Sequence, residues 1–240
     1  TVSIFRYHFA SLDIRQDSSI HRGVVKEILT GFSRYEEYSA FDDDKKSFFL
    51  QEAALSGVEY SGGSEEVRET LQCIKTIREI QLLNGEKGCN RYIISNCGSE
   101  TDLPELLFLF ECAGWNRDEV TVDFIPLFET IKDLESAALI MRRLYANPVY
   151  SGHLKRRGNR QTVMLGFSDG TKDGGYFTAN WSIYKAKEAL TAVSAEAGIE
   201  LTFFDGRGGP AARGGGKTHN YYTAHGKSIE NRRIHLTVQG

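Results

Sequence analysis

The chain has 240 residues, 40% of them hydrophobic and 25% charged, and a net charge of -3. Such a composition suits a folded globular chain with one sizeable core, and the acidic balance removes any general attraction to nucleic acid or an anionic membrane. No apolar run reaches the length of a membrane span, no charged-then-apolar leader opens the chain, and four cysteines without a Cys-x-x-Cys pair read as reduced, which points to the cytoplasm.

In chain order, strand-like runs fall at 9–14, 91–95, 120–128, 161–167, 199–204 and 234–238. Polar or charged residues follow each: Arg15, Asn96, Glu129, Asp169 with Lys172, Arg207, and Gln239. Between the first two runs, the segment 35–60 is charged around Asp42, Asp43, Lys45 and Lys46 and reads as a peripheral helical hairpin of structural weight. Ser61-Gly62-Gly63-Ser64 then makes a turn, and Glu65 and Glu66 start a helix. Farther on, 133–144 and 181–197 carry apolar residues at three- and four-residue spacing with Lys and Glu between them, the period of amphipathic helices.

Strands buried on both faces and alternating with helices predict an α/β fold of parallel strands joined by crossovers. The fold class expected is a partial (β/α)8 TIM-barrel-like core with extra helices, its functional residues converging at the C-terminal ends of the strands. Neither an internal repeat nor a linker divides the chain, so residues 1–240 read as a single domain. Because the sequence opens on Thr1 and stops at Gly240 directly after a strand-like run, it also reads as a fragment of a larger catalytic barrel.

After the fifth strand comes the most distinctive segment, in which Arg207 and Arg213 stand among Gly206, Gly208, Gly209, Gly214, Gly215 and Gly216. Glycine lets backbone amides crowd an anion and lets a loop move, and the planar guanidinium fork matches phosphate or carboxylate. The segment reads as a clamp for a small anion. Gly216-Lys217-Thr218 imitates the end of a nucleotide phosphate loop, but Ala211 occupies the position where that motif needs its first glycine. The Arg-Gly-Gly repeats resemble RNA-binding boxes, which lie in long disordered tracts rather than behind an apolar strand.

Two further places offer oxygen ligands or cations. Ser168-Asp169-Gly170-Thr171-Lys172-Asp173-Gly174 reads as a glycine-bounded loop at a strand end, in which Asp169 suits a hard divalent cation and Lys172 reaches the same anion; a solvated turn with Asp173 capping the next helix is the plainer alternative. Glu129 is a second candidate ligand, or simply an acidic residue at a helix start, since Thr130 and Asp133 follow it.

Taken in order, Leu12 to Ser18, Pro126 to Thr130, Met164 to Asp169 with Lys172 to Gly175, the glycine-arginine segment, and Leu236 to Gly240 closely resemble the catalytic core of the phosphoenolpyruvate carboxylases. The resemblance implies carboxylation of phosphoenolpyruvate with bicarbonate to oxaloacetate and phosphate, with Mg2+ or Mn2+ as cofactor, and a homo-oligomer, tetrameric in the full-length family. It implies Glu129 and Asp169 as metal ligands, and Arg15 and Arg207 on the phosphate. Lys172 would stabilise the bicarbonate-derived anion, Arg213 would arrive on the loop, and Gly208 and Gly214 would line the substrate.

Two departures stand out. Asp205 replaces the histidine the family usually carries before Gly-Arg-Gly-Gly, which should alter the handling of CO2 or carboxyphosphate, and Pro210-Ala211-Ala212 replaces a usual Thr-Val-Gly. The family's catalytic-histidine segment and its C-terminal arginines fall outside the given residues, and the six histidines present read as structural or surface groups. Two other readings stay open at this point: a related phosphoenolpyruvate or pyruvate barrel enzyme that transfers phosphate, and a remnant that binds a phosphorylated metabolite without converting it.

Overall fold

The structure is a computed structural model, and it describes residues 11–53, 59–166, 168–206 and 217–237. Among the described residues, six strands, β1 (Asp13–Asp17), β2 (Arg91–Ser95), β3 (Asp123–Phe128), β4 (Arg160–Leu165), β5 (Glu200–Asp205) and β6 (Ile234–Leu236), form one sheet in sequence order. Every neighbouring pair is parallel. With right-handed crossovers and no reversal of strand order, all connecting helices fall on one face, so the sheet curls around the other as a partial barrel.

Side-chain alternation fits that geometry. Ile93, Ile125, Leu127, Met164 and Phe204 form a small cluster on the inner face. Their neighbours in sequence, Tyr92, Ile94, Phe124, Phe128, Val163, Leu165 and Phe203, belong to the larger core between sheet and helices. The parallel register carries the alternation across the sheet, pairing Arg15 with Ile93 and Met164 with Phe204.

Among the described residues, four helices lie between β1 and β2: α1 (Ser18–Gly31), α2 (Tyr35–Ser39), α3 (Asp43–Ala53) and α4 (Glu65–Asn84). The helix α5 (Asp102–Cys112) follows β2, α6 (Ile131–Ala146) and α7 (Pro148–Arg156) follow β3, α8 (Ser168–Glu196) follows β4, and α9 (Thr218–Thr223) follows β5. As expected, Ser64 caps α4, accepting a hydrogen bond from the Val67 amide. All of α5 is buried, because α1, α3, α4 and α7 pack around it in addition to the sheet, and its sequence is accordingly apolar on every side. Its acids are met individually: Asp102 accepts from Arg22 Nη1 at 2.8 Å and from the Ser99 amide at 2.9 Å, and Glu105 accepts from Tyr38 Oη at 2.6 Å.

Three boundaries differ from expectation. The first strand runs through Arg15, Gln16 and Asp17, because an edge strand is held by its ladder to β2 and by the Arg91–Asp13 ion pair at 2.6 Å rather than by apolar side chains. Val120 and Val122 are buried but precede β3, after a 3-10 turn at Arg117–Glu119. Finally, the loop expected around Asp169 and Lys172 is helical: α8 begins at Ser168, and only Gly175, at φ 78° and ψ 172°, leaves helical geometry. A left-handed φ suits glycine, so the break falls where the Gly174-Gly175 pair allows it.

Candidate active site at the strand ends

At the C-terminal edge of the sheet the backbone ladder continues one residue beyond the strands. The Gly166 amide donates to Phe128 O (2.9 Å), the Gly206 amide to Leu165 O (3.0 Å) and the Thr237 amide to Asp205 O (3.2 Å). Glu129, Gly166, Gly206 and Thr237 therefore stand side by side, each two residues beyond an inner-facing position in β3, β4, β5 and β6. Two members of this row are glycines. A Cβ on Gly166 would stand 3.1 to 3.3 Å from the Cγ, Cα and Cβ of Glu129, so glycine lets the row close up beside that acid.

Glu129 is not needed at the helix start after it, which is already served. Thr130 Oγ1 accepts from the Asp133 amide and the Asp133 carboxylate accepts from the Thr130 amide, a capping box at the head of α6. On the inner face of β1, Arg15 reaches across β2 and donates from Nη2 to Glu129 Oε1 at 2.5 Å. The Arg15 side chain is 49% exposed and that of Glu129 22%, so this ion pair lies at an open mouth. Its electrostatic weight for folding is correspondingly small, and its value is in holding a carboxylate and a guanidinium beside a glycine-lined space.

Of the residues read from the sequence, the fold thus joins Arg15 and Glu129 from positions 114 apart. Asp169 and Lys172 lie in the first turns of α8, next along the sheet from Glu129, and Lys172 is exposed. Arg207, Gly208, Arg213 and Gly214 lie outside the described residues, between Gly206 at the end of β5 and Lys217 before α9. Among the described residues no three His, Cys, Asp or Glu side chains cluster as a ready-made metal cage. A cation such as Mg2+ is commonly held by one or two carboxylates together with substrate and water, a requirement that Glu129 fits as an oxygen donor.

Over residues 1–240 the sequence matches the family described as phosphoenolpyruvate carboxylase. The chain belongs to that family. Asp205, which the sequence singled out, takes on a definite setting. Asp205 alternates with the inner-facing Phe204, so its side chain turns into the helix layer, where Lys187 Nζ donates to Oδ2 at 2.8 Å and Tyr222 Oη donates to the same oxygen at 2.5 Å. Lys187 escaped the sequence reading. The available signal was its register, four residues after Ile183 and three before Leu190 on the buried stripe of α8, where a lysine needs a carboxylate partner.

The described histidines are a mixture of packed and peripheral groups. His21 is buried beside Tyr92 Oη, and burial lowers its pKa to about 4. His153 stacks on Phe124 at 4.6 Å between ring centroids, and burial lowers it to about 3. Both are neutral at physiological pH.

Proposed function

We propose that this chain forms part of an enzyme that carboxylates phosphoenolpyruvate with bicarbonate, giving oxaloacetate and phosphate in a divalent-metal-dependent reaction, and that the 240 residues alone are inactive. Family membership over residues 1–240 supports the substrate class, and the observation that carries the reading onto this chain is the Arg15–Glu129 pair at the strand ends beside Gly166 and Gly206. Phosphoenolpyruvate and bicarbonate are both anions, so a mouth that offers a guanidinium beside one carboxylate suits them.

In this reading Glu129 and Asp169 would hold Mg2+ or Mn2+, which would supply Lewis-acid stabilisation of negative charge on the substrate. Arg15 and Arg207 bind the phosphate through planar guanidinium forks. Lys172, in the second turn of α8, meets the bicarbonate-derived anion, and Arg213 adds positive charge as negative charge builds on the reacting groups. Gly208 and Gly214 let the backbone approach the substrate. Four free cysteines agree with a cytoplasmic setting, and among the described residues no helix is long and apolar enough to cross a membrane.

The test is oxaloacetate formation by the full-length protein in the presence of Mg2+, with phosphoenolpyruvate and bicarbonate omitted in turn. Product that needs both substrates and the metal is the expected result. Pyruvate or ATP formation without oxaloacetate would assign the site to phosphoryl transfer instead.

A further inference from the structure

The helix α8 has two unequal parts that meet at Gly175. The shorter, 168–174, is bracketed by two contacts at the mouth. Before it, Gly166 closes on Glu129, and at its last residue a Cβ on Gly174 would stand 2.4 Å from Ile131 Cδ1, so the backbone there lies against the first residue of α6. Both contacts fall on one corner, the turn from β3 into α6 that carries Glu129. The longer part is fixed elsewhere: Ala179, Ile183, Ala186, Leu190 and Val193 are buried where it packs on α6 and β5.

A single residue reconciles the two seats. Gly175 takes φ 78° and ψ 172°, a region that residues with a side chain essentially do not enter. Space does not demand glycine there, since a Cβ at 175 meets no atom within 4 Å and residues 174–178 are exposed. The glycine is required by its backbone angles alone. A helix continuous through 175 would carry 168–174 along the axis of the longer part and away from the corner.

We infer that Gly175 is a positioning residue, whose break turns the first two turns of α8 onto the corner of Glu129 and Ile131 and so fixes the turn of Lys172 relative to Glu129. Lys172 lies three residues before the break, so an altered angle at 175 moves its turn as a body. The kinetic part of this inference rests on the carboxylation proposed above, with Lys172 on the bicarbonate-derived anion; the placement of the turns stands without it.

Gly175→Ala in the full-length protein is the probe, because alanine favours the helix and cannot hold the angles of the break. Its crystal structure should show 168–174 lifted clear of Ile131. The kcat for oxaloacetate should fall about thirtyfold, with the KM for phosphoenolpyruvate within about threefold, because what moves is a group that meets the other substrate. In a Lys172→Ala background the same substitution should cost less than about threefold, since the glycine acts through that lysine. A segment still seated on Ile131 overturns the inference, and so does an equal loss of kcat in both backgrounds. Should Gly175→Ala not fold, Ile131→Ala removes the seat instead: kcat should fall about fivefold beside Lys172 and less than about twofold beside Lys172→Ala, and a wild-type kcat overturns the inference. If the wild-type protein forms no oxaloacetate, the carboxylation reading fails and the position of 168–174 in the crystal alone decides the role of Gly175.

Discussion

Glu129 presents a carboxylate at the mouth with one oxygen already on Arg15, and Gly166 leaves no space between itself and that acid. Two substitutions probe this arrangement separately. Glu129→Gln keeps shape and removes an anionic oxygen, so the Mg2+ concentration for half-maximal turnover should rise about tenfold or more; Asp169→Asn should do the same, since each takes one charge from a hard cation. A metal dependence that matches wild type in both variants would remove these residues from the metal. The melting temperature should barely move with Glu129→Gln, because the ion pair it weakens is half open to solvent. Gly166→Ala acts by steric displacement: its Cβ would come within 3.1 Å of Glu129 Cγ, so Glu129 must shift and kcat should fall while the protein stays folded. Wild-type kcat in Gly166→Ala would mean that the position of Glu129 does not matter for turnover.

Among the elements, α6 shows how local sequence aims a functional side chain. Thr130 and Asp133 satisfy the helix start between them, and Glu129 is left over to join the inner row. Thr130→Ala should cost about 1 kcal/mol of stability by loss of the cap, measurable in urea unfolding, and a change below a few tenths would show that α6 does not depend on it. Much of this level was legible beforehand: six apolar runs correspond to six parallel strands among the described residues, and of the residues read after them Arg15 and Glu129 meet at the strand ends. The limits were physical. An edge strand such as β1 is held by backbone pairing and so hides its polar half from an apolar pattern. The Ser168–Gly174 stretch looks like a loop because its glycines are poor helix formers, yet packing of Gly174 against Ile131 recovers the helix: a Cβ there would meet Ile131 Cδ1 at 2.4 Å. The meeting of Arg15 with Glu129 across β2, and of Lys187 with Asp205, depends on strand order and helix phase, which no local window of residues encodes.

At the scale of the whole molecule, the crossover helices cover one face of the sheet while the helices stacked on α5 bury ionisable groups, and these groups set the response of the fold to pH. Burial holds His21 at about 4 and His153 at about 3, both below the ordinary value of 6.5. Between pH 4.5 and 6.5 the unfolded chain therefore binds more protons at these sites than the folded one, nearly two near pH 5 and about one at pH 6.5, and stability rises with pH. Glu105 works the other way. Burial raises it from 4.5 to about 7, against the opposing hydrogen bond from Tyr38, with Asp102 reinforcing the rise and Arg22 and Lys46 moderating it. Its stabilising protonated form is fully present below pH 4.5 and is lost as pH climbs through 7. The remainder is close to one proton in the histidines' favour, which at about 1.4 kcal/mol per pH unit predicts a net gain of roughly 2 kcal/mol from pH 4.5 to 6.5. Asp102 and Glu111, also raised by burial, trim this gain, and His235, lowered by burial, adds to it. Glu105→Gln removes the largest opposing group while preserving an acceptor for Tyr38, so the rise should roughly double in the variant. Urea midpoints at half-unit pH steps on both proteins check this: a wild-type stability that falls across the interval would show that His21 and His153 do not govern the pH response, and a variant whose profile runs parallel to the wild type would show that Glu105 does not oppose them.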